Sequence, residues 1–271
     1  MAECSLINLG ACLPEKFFEF LLSILNAPIT PFLDITIKLL SEPIDLYVFG
    51  AIWVIIVYML SMFYALLLIS AGYSFMISGY DSSKRENAKE WLKNIIIMIV
   101  LVQASFFLYQ LFIDLSSAMT SATLSLVDED FFLITIEDIG DLGLAILLSL
   151  VYIMTLILTS LVLTLRYAIV AIGVVLFPIG IFLYFLPPLK QYGSLILNFL
   201  GIAVFITFFD AIILIGFSKL ADVSVFSEMK ILVLISAFLL IDVIMLLLML
   251  FSVVKGAFSV YADVKSIGGK I

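Results

Sequence analysis

From Leu46 to Ser78 the chain carries no charged side chain, and a second apolar run extends from Asn94 to Met119. Each run exceeds the roughly 20 residues that a helix needs to cross about 30 Å of hydrocarbon. Between them lies one compact polar turn, Gly79 to Lys93, with the sequence GYDSSKRENAKEWLK. Four of its residues, Lys84, Arg85, Lys89 and Lys93, are basic, and short loops rich in Lys and Arg are retained on the cytoplasmic side of a membrane. The first span therefore enters from outside and the second leaves again. Ser83 and Glu86 have capping-box spacing, which predicts that the second helix begins near Lys84, before it meets the bilayer. Arg85, Lys89 and Lys93 then recur at i, i+4 and i+8 and form one basic stripe, with Glu86 and Glu90 beside it.

The rest of the chain has the same character. Of its 271 residues, 65% are hydrophobic and only 13% charged, which places it among polytopic membrane proteins. The formal net charge of −8 hides a segregation of signs along the sequence. There is no histidine, and Cys4 and Cys12 are the only thiols. Histidine proton chemistry and zinc sites built on His or clustered Cys are thereby excluded. No G-x-x-x-x-G-K-[ST] phosphate loop is present. The expectation is a protein with no catalytic, cofactor-binding or metal-ligating residues, and not an enzyme. The N-terminus lacks the basic start and continuous apolar core of a cleavable leader, and is read as part of the mature protein.

Residues 1–45 read as an extracytoplasmic and interfacial segment. Apolar residues from Phe17 to Leu40 alternate with Glu15, Lys16, Glu19, Asp34 and Lys38, and Pro28 and Pro31 are expected to split the stretch into two amphipathic pieces lying in the interface. Residues 46–271 form the transmembrane domain, with spans near 46–78, 91–119, 142–165, 193–217 and 231–254. The loop from Thr120 to Asp141 holds six carboxylates and no Lys or Arg, and reads as extracytoplasmic. It lacks the Asp-x-Asp-x-Asp-Gly order of a calcium loop.

The third apolar block, Leu142 to Leu186, is interrupted only by Arg166 and by Phe177-Pro178-Ile179-Gly180. It admits two topologies. As two full spans it leaves seven basic residues inside and six outside. As one span ending at Arg166, followed by a re-entrant hairpin over 167–186 turning at Pro178 and Gly180, it leaves nine inside and four outside. The positive-inside rule prefers the second division. Asp210 and Asp242 lie deep in the last two spans, where an ionisable group costs several kcal/mol unless it is paired, protonated or facing water. Both are expected to face the bundle interior. The tail carries Lys255, Lys265 and Lys270, a basic cytoplasmic end. The fold class is all-α, a polytopic transmembrane helix bundle of about five to six spans with an N-terminal amphipathic interfacial segment. Cys4 and Cys12, both outside in this topology, are candidates for a disulfide adding on the order of 2 to 3 kcal/mol.

Gly72-Tyr73 to Gly79, the basic turn, Asn87-Ala88-Lys89, Leu92-Lys93-Asn94 and then an apolar helix with Gln103, Ala104 and Ser105 resemble the helix pair of the TrbL-like family, the large polytopic inner-membrane component of type IV secretion. In length and span layout the chain resembles the short crenarchaeal, CedA-like branch of DNA-import proteins. The resemblance covers Ala71 to Met119 in detail; elsewhere it extends to an amphipathic N-terminal segment, an Arg closing the third span and a Pro-containing hairpin. Bacterial members tend to carry a Trp in the cytoplasmic loop after the third span, where this chain has only Tyr192 nearby. The resemblance implies a non-enzymatic, oligomeric channel subunit in the cell membrane that conducts single-stranded DNA. Its implied partners are a separate HerA/VirB4-like ATPase and small two-span membrane proteins. Arg85, Lys89 and Lys93, with Arg166, Asp210 and Asp242, are the candidate translocation or docking residues. The competing class is an ion- or proton-coupled carrier of a small solute, with Asp210 and Asp242 as titrating sites.

The nine-to-four division predicts the N-terminus outside and the C-terminus in the cytoplasm. Single cysteines placed at Lys190 and at Lys219 should be labelled by impermeant reagent from the cytoplasmic and the external side respectively; reversal of that pattern refutes the topology.

Overall fold

The computed structural model describes residues 9–80, 82–128, 131–134, 142–227 and 229–268. Among these every element is helical: α1 Leu9–Ser41, α2 Gly50–Ile77, α3 Ser82–Gln103, α4 Ser105–Leu124, α5 Leu142–Phe185, α6 Lys190–Ala221, the single turn α7 Ser224–Ser227, and α8 Lys230–Gly268. Four stretches, Tyr47–Ile77, Ile146–Phe185, Pro187–Ala221 and Lys230–Phe258, are long and apolar enough to cross a membrane, and the bent pair α3–α4 makes a fifth when counted as one span. The chain is thus an all-α, multi-pass membrane protein. Its residues cluster into two compact units. The first gathers Met1–Glu42, Ser117–Leu165 and Thr207–Met245; the second gathers Pro43–Ser116, Arg166–Ile206 and Leu246–Ile271. The expected Cys4–Cys12 disulfide lies outside the described residues.

In the second unit α2 and α3 form an antiparallel hairpin closed by a 3-10 turn at Ser78–Tyr80. The buried residues of α2, Val57, Tyr64 and Ala71, recur every seven positions, with Trp53, Leu60 and Leu67 half-buried between them. That 4-3 alternation is the seam by which two helices pack knobs into holes. It meets Ile95, Met98 and Val102 of α3, with Ile181 and Phe182 of α5 against the same cluster. Because α2 is apolar around its whole circumference, periodicity does not reveal which face is covered.

The expected second span is not straight. Helix α3 ends at Gln103, α4 begins at Ser105, and their axes differ by 63°. The hydrogen-bond ladder reaches Ala104 N–H to Val100 O at 3.0 Å and resumes with Leu108 N–H to Ala104 O at 3.0 Å. Trp53 of α2 braces the break by donating Nε1–H to Ser105 Oγ at 2.9 Å, and its ring lies 5.4 Å from that of Phe106.

Neither reading of the 142–186 block holds, because α5 is one uninterrupted helix of 44 residues with Pro178 inside it. At about 1.5 Å per residue it is roughly 66 Å long, twice the hydrocarbon thickness. Proline removes a single helical hydrogen bond, whereas a hairpin would release several backbone groups where no water can satisfy them. Gly180, expected as the hairpin's turn, serves a different purpose. A Cβ there would stand 3.0 Å from Ile196 and 3.1 Å from Leu197 of α6, and a Cβ on Gly193 would stand 2.2 Å from Tyr184 N and 2.6 Å from Gly180 O. The glycines let the α5 and α6 backbones approach each other beside their connecting turn.

In the first unit α1 also runs through its prolines, so the expected division at Pro28 and Pro31 does not occur. Ile29, Leu33, Thr36 and Leu40 fall on one face at helical spacing and are buried, and this packing outweighs the loss of two N–H donors. Thr36 Oγ1 and Ser160 Oγ of α5 are 2.9 Å apart. The acidic connection after α4 is not wholly a solvated loop. Phe131, Phe132 and Ile134 are buried. Asn26 donates Nδ2–H to Ile134 O at 3.0 Å and accepts Ile134 N–H at 3.2 Å. Tyr152 donates to Phe132 O at 3.1 Å and Lys230 to Leu133 O at 2.9 Å.

Because a methyl group on Gly193 would run into backbone atoms that cannot swing aside, Gly193→Ala should destabilise the protein by about 1 to 3 kcal/mol. Gly72→Ala, where nothing lies within 4 Å, should be neutral or slightly stabilising. Thermal unfolding of both variants in detergent checks the pair, and equal melting would refute the close approach.

Candidate functional site: a basic helix face and three buried charges

At the N-terminal end of helix α3 the seam residues give way to charged ones. Ala88 is buried, while Lys84, Arg85, Glu86, Lys89, Glu90 and Lys93 are exposed. The i, i+4, i+8 stripe of Arg85, Lys89 and Lys93 is therefore realised on the face away from the seam. The Arg85 guanidinium sits 5.9 Å from the centre of the Phe75 ring at the end of α2, within range of a cation–π contact. Beside the stripe a cleft of about 370 Å³ opens at the hairpin turn, lined by Tyr73, Ser74, Ile77, Ser78, Lys84, Asn87, Ala88 and Trp91. The arrangement offers delocalised and point positive charge, an indole and amide and hydroxyl groups together, a surface chemically suited to phosphates and to acidic side chains.

Arg166 does not close a span at a cytoplasmic surface. It lies well inside α5 and is 5% exposed. Its Nε–H donates to Ala203 O at 2.8 Å and its Nη2 to Val204 O at 2.9 Å, both on α6. Ser116 of α4 donates to the same Val204 carbonyl at 2.7 Å. These carbonyls belong to the interior of a helix, and the Val204 oxygen is shared between Arg166 and Ser116. A rigid fork can address two successive carbonyls at once, which a lysine ammonium cannot. Arg166, Gly173 and Gly180 are spaced by seven along α5, so one face of that helix carries a charged clamp and two points of close approach. At Gly173 a Cβ would lie 2.1 Å from the Tyr109 hydroxyl, which donates to Val170 O at 2.8 Å.

The two intramembrane carboxylates belong to the first unit, and both are buried as expected: Asp210 on α6 at 0% exposure and Asp242 on α8 at 3%. Thr159 Oγ1 of α5 lies 3.0 Å from Asp242 Oδ2 and 2.9 Å from Thr155 O, so its one proton serves either acceptor. The six candidate residues are thus not one constellation. The stripe is a surface, Arg166 is a clamp between two helices, and the carboxylates are buried in helix packing. Among the described residues no group of His, Cys, Asp and Glu is arranged to hold a metal ion.

Sequence reasoning missed the break between α3 and α4, and with it Trp53 and Ser105. The available signal was a cluster of Gln103, Ala104 and Ser105 in an otherwise apolar run. Asp114 was also missed; it is exposed on α4, followed along the same helix face by Ala118 and Ser121. No family model matches the chain, and no curated protein or solved structure matches it.

The Arg166 clamp predicts that Arg166→Lys is not conservative. With two charge-assisted bonds reduced to at most one, stability should fall by about 1.5 to 3 kcal/mol. Thermal unfolding in detergent measures this, and wild-type melting of Arg166→Lys would remove the clamp argument.

Proposed function

We propose that this protein is a non-enzymatic channel subunit of a type IV secretion-like DNA-translocation machine of the archaeal import kind. It acts as a homo-oligomer in the cell membrane, with its N-terminus outside and its C-terminus in the cytoplasm. A separate HerA/VirB4-like ATPase drives it, small two-span membrane proteins accompany it, and single-stranded DNA is the cargo. The resemblance of Ala71 to Met119 to the TrbL-like helix pair motivates the reading. The observation that carries it is the state of that pair. Of the most apolar window of α2 only 11% is buried, and Ile52, Ile55, Tyr58, Met59, Met62, Phe63, Leu66 and Ile69 are all exposed. A helix so little covered by its own chain has surface to offer to neighbouring copies, and the α3 stripe is carried on the same hairpin.

The buried placement of Arg166, Asp210 and Asp242 also fits. All three are buried, so they do not line a polymer-sized passage within one chain. Such a passage is formed between copies, where exposed Asp114 finds water or a neighbour rather than lipid. At its cytoplasmic mouth the ring of Arg85, Lys89 and Lys93 attracts phosphates through a field reaching roughly 8 to 10 Å at physiological salt. Asp210 and Asp242 are structural in this reading.

One observation favours a small-solute carrier instead. Discontinuous helices are a recurring device of carrier binding sites, and the α3–α4 break lies next to a cleft of about 260 Å³ that Trp53, Tyr58, Ser61 and Gln103 help to line. Saturable uptake of a small solute into proteoliposomes would decide for the carrier.

Changing Arg85, Lys89 and Lys93 together to Gln should reduce DNA transfer between cells on the order of tenfold or more, because several phosphate contacts are lost from every copy. Expression and topology are checked in parallel. Unchanged transfer, or a strictly monomeric protein in the native membrane, refutes the channel reading.

A further inference from the structure

A second polar cleft lies in the second unit, away from the α2–α3 hairpin. It has a volume of about 500 Å³, and its walls come from the end of α5, the first turns of α6 and the part of α8 near Lys255. Its lining holds two lysines, Lys190 and Lys255, with Ser194, Asn198 and Ser252, and no carboxylate among the described residues. Ser252 is 7% exposed, and its hydroxyl has no hydrogen-bond partner among the described residues. A buried donor left without an acceptor is costly, and this one belongs to the cleft's own wall. Asn198 Nδ2 is 3.3 Å from Ser194 Oγ, so that hydroxyl keeps its own proton to donate. The Lys190 ammonium lies 5.4 Å from the centre of the Tyr184 ring, which holds it at the rim.

The cleft also sits at a defined depth. Lys190 lies near the start of the apolar stretch Pro187–Ala221 and Lys255 near the end of Lys230–Phe258, so both lysines stand close to the ends of candidate spans. Along α8, Leu247, Phe251 and Lys255 recur at i, i+4 and i+8. All three are exposed, so an apolar stripe leads straight to the second lysine. Two cations and several hydroxyl and amide donors thus stand at headgroup level above an apolar track. We propose that this cleft binds the phosphate headgroup of an anionic phospholipid, between Lys190 and Lys255, with its hydrocarbon chains lying along Leu247 and Phe251. Basic pockets between transmembrane helices take such headgroups generally. The volume falls in the range of small-molecule sites, about 300 to 1,000 Å³. The inference does not depend on what the protein transports.

The test uses the full-length protein in detergent, titrated with phosphatidic acid or phosphatidylcholine and read by native mass spectrometry. Phosphatidic acid should bind in preference to phosphatidylcholine, and Lys190→Gln with Lys255→Gln should reduce that preference about thirtyfold while leaving phosphatidylcholine binding unchanged. Ser252→Ala should weaken it about threefold or more, and Lys219→Gln, a basic change elsewhere, should leave it unaltered. If the double Gln variant melts early, Lys190→Arg with Lys255→Arg serves in its place; it should retain the preference, and its loss would overturn the proposal. Inorganic phosphate and a short oligothymidylate are added as competitors. Displacement of the lipid by millimolar phosphate identifies a free-anion site, displacement by the oligonucleotide identifies a DNA contact, and either result overturns the lipid assignment. No preference for the anionic lipid in the wild type overturns it as well.

Discussion

A helix in hydrocarbon gains almost nothing by hiding an apolar side chain against another helix, because the lipid it leaves is as apolar as the neighbour it meets. What holds such helices together is close van der Waals approach and hydrogen bonds that lipid cannot supply. Both are concentrated where this chain brings its helices into contact. In the second unit, Gly193 and Gly180 allow backbone to approach backbone, Gly173 admits the Tyr109 hydroxyl, and Arg166 fastens the α6 carbonyls of Ala203 and Val204. In the first unit the same economy appears as side-chain pairs. Thr36 meets Ser160, Thr159 meets Asp242, and Asn26, Tyr152 and Lys230 all bond to the short segment at residues 131–134.

Those bonds explain why so few polar residues suffice. Each uncovered backbone group or charge in a low-dielectric surrounding is costly, so a polar side chain that finds a carbonyl across a helix interface defines one register and excludes others. The Arg166 fork is the clearest case, since its two donors are set by covalent geometry and match two successive carbonyls. The apolar residues around it fill space without choosing a partner. This division of labour leaves α2 with one covered seam and a large remaining apolar surface.

Prolines within helices and a helix break without a proline show what local rules miss. Pro28, Pro31 and Pro178 all lie inside continuous helices, because a proline costs a bounded number of hydrogen bonds and neighbouring packing outweighs them. The 63° break falls instead at Gln103-Ala104-Ser105. There the side chain that braces it, Trp53, comes from another helix. Breaking and continuity are decided by tertiary partners that local sequence does not name.

The all-helical, membrane-spanning character followed from the length and apolarity of the runs, since only a helix or a closed barrel satisfies its backbone in lipid. The basic stripe of α3 followed from spacing at i, i+4 and i+8, which an exposed helix preserves whatever surrounds it. The burial of Asp210 and Asp242 followed from the cost of a charge in hydrocarbon. The tertiary structure alone decided that Arg166 is an interhelical clamp and not a span end, that Phe131, Phe132 and Ile134 of the acidic connection are packed into the fold, and which narrow seam of α2 is covered. Apolar sequence carries no period that marks a contact face, and a polar residue's role depends on a carbonyl or hydroxyl brought to it from a distant part of the chain.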